Sequence, residues 1–134
     1  MNTILVAAAV LVEDGRVLLT QRKTGSHLAG AWEFPGGKVE SGEDPRVALA
    51  RELDEELSIQ ATVGEILDVT FHRYEDVGRA VLILFFHAAR EKGSPPPRAV
   101  DVADFRWATA GDLEPDRFPP ADVAILAKVR LLVR

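Results

Sequence analysis

The sequence predicts an α+β domain, an α/β/α sandwich in which a central mixed β-sheet carries helices on both faces. Three observations carry that expectation. Apolar segments of strand length stand before and after one central helical segment, and a second helical pattern closes the chain. The 134 residues, 47% of them hydrophobic, suffice for one core, so we expect a single domain over residues 1–134.

Ile4 to Val12 is an apolar run rich in Ala and Val, and Arg16 to Gln21 resumes the pattern after Glu13-Asp14-Gly15. Two strands joined by a tight Asp-Gly turn form a hairpin. Lys23 to Gly30 reads as a loop, and Trp32 to Phe34 as a short strand ending at Pro35-Gly36-Gly37. Asp44 and Pro45 mark a helix start, cap and first residue, and the helix runs to about Leu57. Val47, Ala50, Leu53 and Leu57 fall on one stripe, with Glu52, Glu55 and Glu56 expected on the opposite side. Ala61 to Phe71 and Arg79 to Ala89 read as strands around a polar turn at Glu75 to Gly78. Glu91 to Ala99 is a loop, Asp104 to Ala108 a short strand. Pro120 to Val133 is a closing helix with Val123, Leu126, Val129 and Val133 inward.

Charge is concentrated. Seven acids and two bases between Glu40 and Glu56 account for the whole net charge of −5, and the remainder is neutral. That is the composition of a cation site rather than of a duplex nucleic-acid surface. With no cysteine, disulfides, thiolate metal sites and cysteine nucleophiles are excluded, and a reducing cytoplasm fits. No window approaches the length of an apolar membrane span and the start lacks a basic leader, so neither a membrane nor a secreted protein is expected.

Glu52, Glu55 and Glu56 stand at i, i+3 and i+4, so their carboxylates can converge within one turn. They form either a solvated acidic face, with Arg51 paired to Glu55, or a site for a hard divalent cation. The full string favours the second reading. Gly37, then Glu43 after five residues, then Arg51-Glu52-Leu53-Asp54-Glu55-Glu56-Leu57-Ser58-Ile59 after seven more, resembles the Nudix box at every specified position but one. Ser58 stands where the pattern has glycine. A residue just past a helix usually turns left-handed, so serine there costs on the order of 1 kcal/mol, a matter of stability rather than of the carboxylates.

The resemblance implies a loop–helix–loop that holds metal ions and activates water. Carried over, Glu52, Glu55 and Glu56 supply metal-binding and water-activating carboxylates and the Gly36 carbonyl a further oxygen. Glu43 is a supporting acid and Arg51 an orienting partner. Asp101, six residues before Trp107, stands where a loop glutamate reaches the metal or acts as base, leaving Glu52 or Asp101 as general base. Mg²⁺ is the implied cofactor, with Mn²⁺ a substitute. Beyond the box, Gln21-Arg22, Trp32 to Lys38, Trp107 and Phe118 to Asp122 look like the MutT-type branch, small nucleoside triphosphate pyrophosphohydrolases, and its CTP pyrophosphohydrolase relatives.

That branch implies a nucleoside triphosphate cut between the α and β phosphates. Arg22 and Arg79 then lie near the phosphates, with Gly37 and Lys38 beside the substrate and Phe34 and His27 bordering the base. Asp122 stands where the branch reads the base. Ionised, it accepts from an amino group of cytosine or a purine and repels a ring oxygen; its other reading is the N-cap of the final helix. His72 and His87 are expected to be structural, and Trp32 and Trp107 mainly packing. An oxidised-nucleotide sanitiser acting on 8-oxo-dGTP or 2-hydroxy-dATP and a non-catalytic nucleotide-sensing module are the rival functions. No duplex nucleic acid or membrane partner is expected, and the chain is a monomer or a homodimer.

Overall fold

A computed structural model describes residues 1–134. Seven strands form the sheet: β1 Asn2–Glu13, β2 Arg16–Gln21, β3 Trp32–Glu33, β4 Gly36–Lys38, β5 Ala61–Tyr74, β6 Arg79–Arg90 and β7 Asp104–Ala108. Three helices accompany them, α1 Pro45–Leu57, α2 Pro120–Val123 and α3 Leu126–Arg130.

β1 organises the sheet. It pairs in parallel with β6 from Asn2 opposite Arg79 to Leu11 opposite Ala88, and antiparallel with β4 (Val6–Ala8) and β2 (Val12, Glu13). The full path runs β3-β2-β1-β6-β5, with β7 on β2. A strand covered on both faces reads as a continuous apolar run, and Ala7 to Leu11 are all buried. One side packs Val10, Leu19, Phe85 and Phe118 with Leu126 and Val129 of α3; the other packs Leu11, Leu18 and Phe86 with Ala48, Leu49, Leu53 and Leu57 of α1. No helix is long and apolar enough to cross a membrane.

The hairpin, α1, β7 and the turn before β6 stand where the sequence places them. Asp44 caps α1, its carboxylate accepting from the Arg46 amide at 2.8 Å, with Pro45 at the first helical position. Three expectations need correction. Gly36-Gly37 is not merely the end of a strand but part of β4, because a Cβ at Gly36 would lie 2.1 Å from the Ala7 carbonyl and only glycine allows so close a pairing with β1. The buried face of α1 is Ala48, Leu49, Leu53 and Leu57, while Val47 is exposed. The closing helix is two pieces, with Val123 exposed, although Ala124 keeps right-handed helical angles (φ −62°, ψ −31°).

Ser58 has φ 57° and ψ 36°, the left-handed conformation expected of the missing glycine, and its amide donates to the Asp54 carbonyl at 2.9 Å. The Ser58 hydroxyl meets Arg98 only at 3.4 Å. Ser58→Gly is therefore expected to raise stability by about 1 kcal/mol, read as a higher urea midpoint at unchanged m, with turnover unaffected.

Candidate active site

The acidic helix does not present its carboxylates to solvent as a block. At about 100° per residue, Glu56 projects between Ala48 and Leu49, on the packed side of α1. Glu56 and Glu52 accordingly turn toward β4. The Gly36 amide donates to Glu56 Oε1 at 3.2 Å, and a Cβ at Gly37 would lie 2.4 Å from the Glu52 carboxyl carbon. Glycine at 37 is what lets Glu52 lie against the strand. Gly37→Ala is expected to displace that carboxylate and lower kcat/KM by about 10²-fold, the effect of a misplacement on the scale of 1 Å, with the melting curve showing whether the fold is kept.

Arg51 fixes the frame. Its guanidinium donates twice to Glu43 (2.9 Å each), to Glu52 Oε1 at 3.0 Å and to the Lys38 carbonyl at 3.2 Å, with Glu55 at 3.3 Å. The hydrogen bonds from Arg51 and from the Glu40 amide hold Glu43 down to about pKa 2. The i,i+4 pair to Glu55 exists, but as the weakest arm of a network that ties the box loop to the helix. Glu55 itself is exposed.

The loop after β6 docks on the end of α1. The Val100 and Asp101 amides donate to the Glu56 carbonyl (3.0 and 3.2 Å) and the Arg98 amide to that of Leu57 (2.9 Å), satisfying carbonyls that a helix end leaves open. This brings Asp101 beside the acidic turn, where its side chain forms an ion pair with Lys23.

Burial raises the pKa of Glu56 to about 9, reinforced by the charges of Glu33 and Glu52 and, more weakly, Asp101, against the Gly36 amide that lowers it. Glu52 is raised too, chiefly by burial. Oxygen donors crowded where negative charge is unfavourable are what a hard divalent ion relieves. Glu52, Glu56 and the Gly36 carbonyl therefore fit such an ion, although no three acidic side chains already stand at ligand spacing. Glu55 and Asp101 lie at the margin, held by Arg51 and Lys23.

On the other side of β4 lies a pocket of about 300 Å³. All seven residues expected to touch substrate line it: Arg22, His27, Phe34, Gly37, Lys38, Arg79 and Asp122. Their settings differ. Arg22 is engaged, donating to the His27 carbonyl at 2.6 Å and to Glu33 at 3.1 Å. His27 pairs with Asp76 at 2.8 Å. Phe34 is mainly core, edge-on to Phe85 and stacked on Phe118.

Asp122 is not a helix N-cap, a place that Pro119 takes in α2 and Ile125 in α3; it is the third residue of α2, 5% exposed. Burial pushes its carboxyl well above the usual range, with Glu33 adding to the rise and Arg22 and the Phe34 amide opposing it. The group is thus driven toward the protonated form, which donates as well as accepts.

Two ionisable pocket residues escaped the sequence reading. Glu33, paired with Arg22, has its pKa raised by burial against that pairing. Tyr74 lines the same pocket from the end of β5. The strand register could have signalled Glu33, because pairing β2 with β3 sets it opposite Thr20, two residues from Arg22. His72 packs edge-on to Tyr74 and His87 is exposed, neither lining the pocket. Trp32 and Trp107 pack against the two cores.

A glycine-lined strand has carboxylates behind it and a basic-edged pocket in front, the arrangement that the box implies. Residues 1–129 match the NUDIX domain family, and the chain belongs to that family of hydrolases, whose members generally use divalent metal ions. It is 40% identical over 126 residues to the CTP pyrophosphohydrolase of Escherichia coli K12, covering 94% of this chain and 90% of the relative. It is 32% identical over 120 residues to the 8-oxo-dGTP diphosphatase of the same organism, covering 90% of each. A MutT Nudix hydrolase from Burkholderia pseudomallei superposes with a TM-score of 0.84 at 29% identity, covering 96% of this chain and 99% of that one.

Proposed function

We propose that this chain is a Mg²⁺-dependent nucleoside triphosphate pyrophosphohydrolase that cuts CTP or dCTP to the monophosphate and pyrophosphate. The observation that carries the reading is the shared wall. Gly36 and Gly37 line the pocket on one side and touch Glu56 and Glu52 on the other, so a polyphosphate entering from the pocket meets the acids across β4.

When bound, the divalent ion neutralises phosphate oxygens and acidifies water. The chain supplies the rest. Glu52 and Glu56, with the Gly36 carbonyl, would hold the ion, and Glu55 and Asp101 would complete the acidic margin. Arg51 holds Glu52 through a 3.0 Å hydrogen bond, leaving it or Asp101 to take the proton of the attacking water. Lys38 and Arg79 bring positive charge to the phosphates at the pocket edge, while Arg22, tied to Glu33, holds the loop that carries His27. Phe34 and His27 border the base and Asp122 reads its edge.

A second reading is favoured by the burial of Asp122. Protonation lifts the repulsion that an ionised carboxylate would impose on a ring oxygen, so an oxidised purine such as 8-oxo-dGTP or 2-hydroxy-dATP is admitted as well. Turnover on CTP, dCTP, 8-oxo-dGTP and 2-hydroxy-dATP, with products identified, separates the two. Monophosphate plus pyrophosphate, with cytidine nucleotides preferred, is the expected result. Diphosphate plus inorganic phosphate contradicts the proposal, and so does no release from any nucleotide, the outcome of a sensing module.

A further inference from the structure

Tyr74 ends β5 at the floor of the pocket, opposite Arg79 in the sheet register. Its ring is wedged between two others, meeting His27 edge-on at 5.1 Å and 83° and His72 at 4.6 Å and 63°. Its hydroxyl oxygen accepts a hydrogen bond from the Ala121 amide at 3.1 Å.

Ala121 is the second residue of α2, where a helix start leaves amides without intrahelical partners, and the Pro119 cap has no side-chain oxygen to offer. Tyr74 is therefore a side-chain cap supplied from the sheet, 47 residues away. The residue after Ala121 is Asp122, which lines the pocket. Only four residues long, α2 holds Asp122 by its amide to the Pro119 carbonyl at 2.9 Å, and the Tyr74 hydroxyl adds a tie to the sheet one residue earlier. Burial, opposed by the Ala121 hydrogen bond, raises the Tyr74 pKa, and the charge of Asp122 adds to the rise.

We infer that Tyr74 is a positioning residue for base discrimination: through the Ala121 amide its hydroxyl fixes the place of the Asp122 carboxyl in the pocket. The inference rests on the reading of Asp122 as the group that meets the base. Tyr74→Phe keeps the ring and its two edge contacts and removes only the acceptor.

The test measures kcat and KM for CTP and 8-oxo-dGTP in the wild type, Y74F, D122A and the double variant, with melting temperatures alongside. Y74F is expected to change the ratio of kcat/KM for the two nucleotides by about threefold to tenfold, the reach of one hydrogen bond, through KM and with kcat changed less than about twofold. In the D122A background it changes the ratio no further. A ratio unmoved by D122A overturns the reading of Asp122. A ratio moved by D122A but not by Y74F overturns the role of Tyr74 alone, as does an equal loss of kcat on both nucleotides, which marks a merely structural residue. Should Y74F melt below the assay temperature, 3-fluorotyrosine at position 74, a weaker acceptor of nearly the same shape, replaces it; a smaller shift of the ratio in the same direction supports the inference and no shift overturns it.

Discussion

Glu52→Gln is expected to lower kcat for pyrophosphate release by at least about 10³-fold while leaving the fold in place. Glutamine has the shape of glutamate, so the packing against Gly37 and the hydrogen bond from Arg51 to the retained carbonyl oxygen survive. What is lost is charge at the ion, which weakens its binding, and the capacity to take a proton as the reaction proceeds. A companion Asp101→Asn variant assigns the base. Asp101 is exposed and paired with Lys23, so its loss spares the buried pair. If Glu52 is the base, the Asp101 variant keeps far more activity than the Glu52 variant at saturating metal; the reverse order assigns the proton transfer to Asp101. Steady-state kinetics with Mg²⁺, alongside thermal melts of both variants, distinguishes these outcomes. Near-normal turnover in both variants contradicts the account of the site.

The second large effect is on pH and metal together. Glu56 titrates near pH 9 in the fold, against an ordinary value of 4.5, because it is buried among acids. Between those values the folded chain binds a proton that the unfolded chain has released. Metal-free stability therefore falls as pH rises from about 5 to about 9, at a limit of about 1.4 kcal/mol per pH unit for one group. A divalent ion competes with that proton, so its affinity rises over the same range and its binding at neutral pH releases about one proton. Melting temperatures with and without Mn²⁺ are expected to diverge as pH increases, and calorimetry in buffers of different ionisation enthalpy should register the released proton. Glu56→Gln removes the alkaline loss of metal-free stability and with it the Mn²⁺ stabilisation. A Mn²⁺ shift independent of pH and unchanged in this variant contradicts the role of Glu56.

The fold class was legible in the sequence, and the candidate site only as residue types at fixed offsets. The box fixes residue types at fixed offsets, so its acids, Arg51 and the glycines are recognisable without knowing which way they face. Facing is where pattern failed. Glu52 and Glu56 look solvent-bound on a helix wheel drawn through Val47 and Ala50, but α1 packs along Leu49, Leu53 and Leu57, which rotates those acids beneath β4. Burial of charge is invisible to periodicity, because it runs against the solvation that periodicity assumes.

β4 escaped because glycines have no side chains to alternate. β5 carries its apolar residues irregularly since its register slips between Val63 and Asp68. Tyr74 lies 47 residues from the Ala121 amide it caps and Glu33 lies 11 from Arg22, and only the pairing of strands brings them into one pocket. The N-cap role of Asp122 failed for a related reason: the two prolines before it start the helix earlier, at Pro120.

The whole proposal depends on Glu52 and Glu56, beneath Gly36 and Gly37, holding the ion on which a nucleotide polyphosphate is cut. Crystals of the chain grown with Mn²⁺ and a non-hydrolysable cytidine triphosphate analogue test it through the anomalous signal of the metal. The expected result is peaks bounded by the Glu52 and Glu56 carboxylates and the Gly36 carbonyl, with the triphosphate entering across β4 from the Arg79 and Lys38 edge. Peaks elsewhere, with those two carboxylates still turned only to the protein, would contradict it.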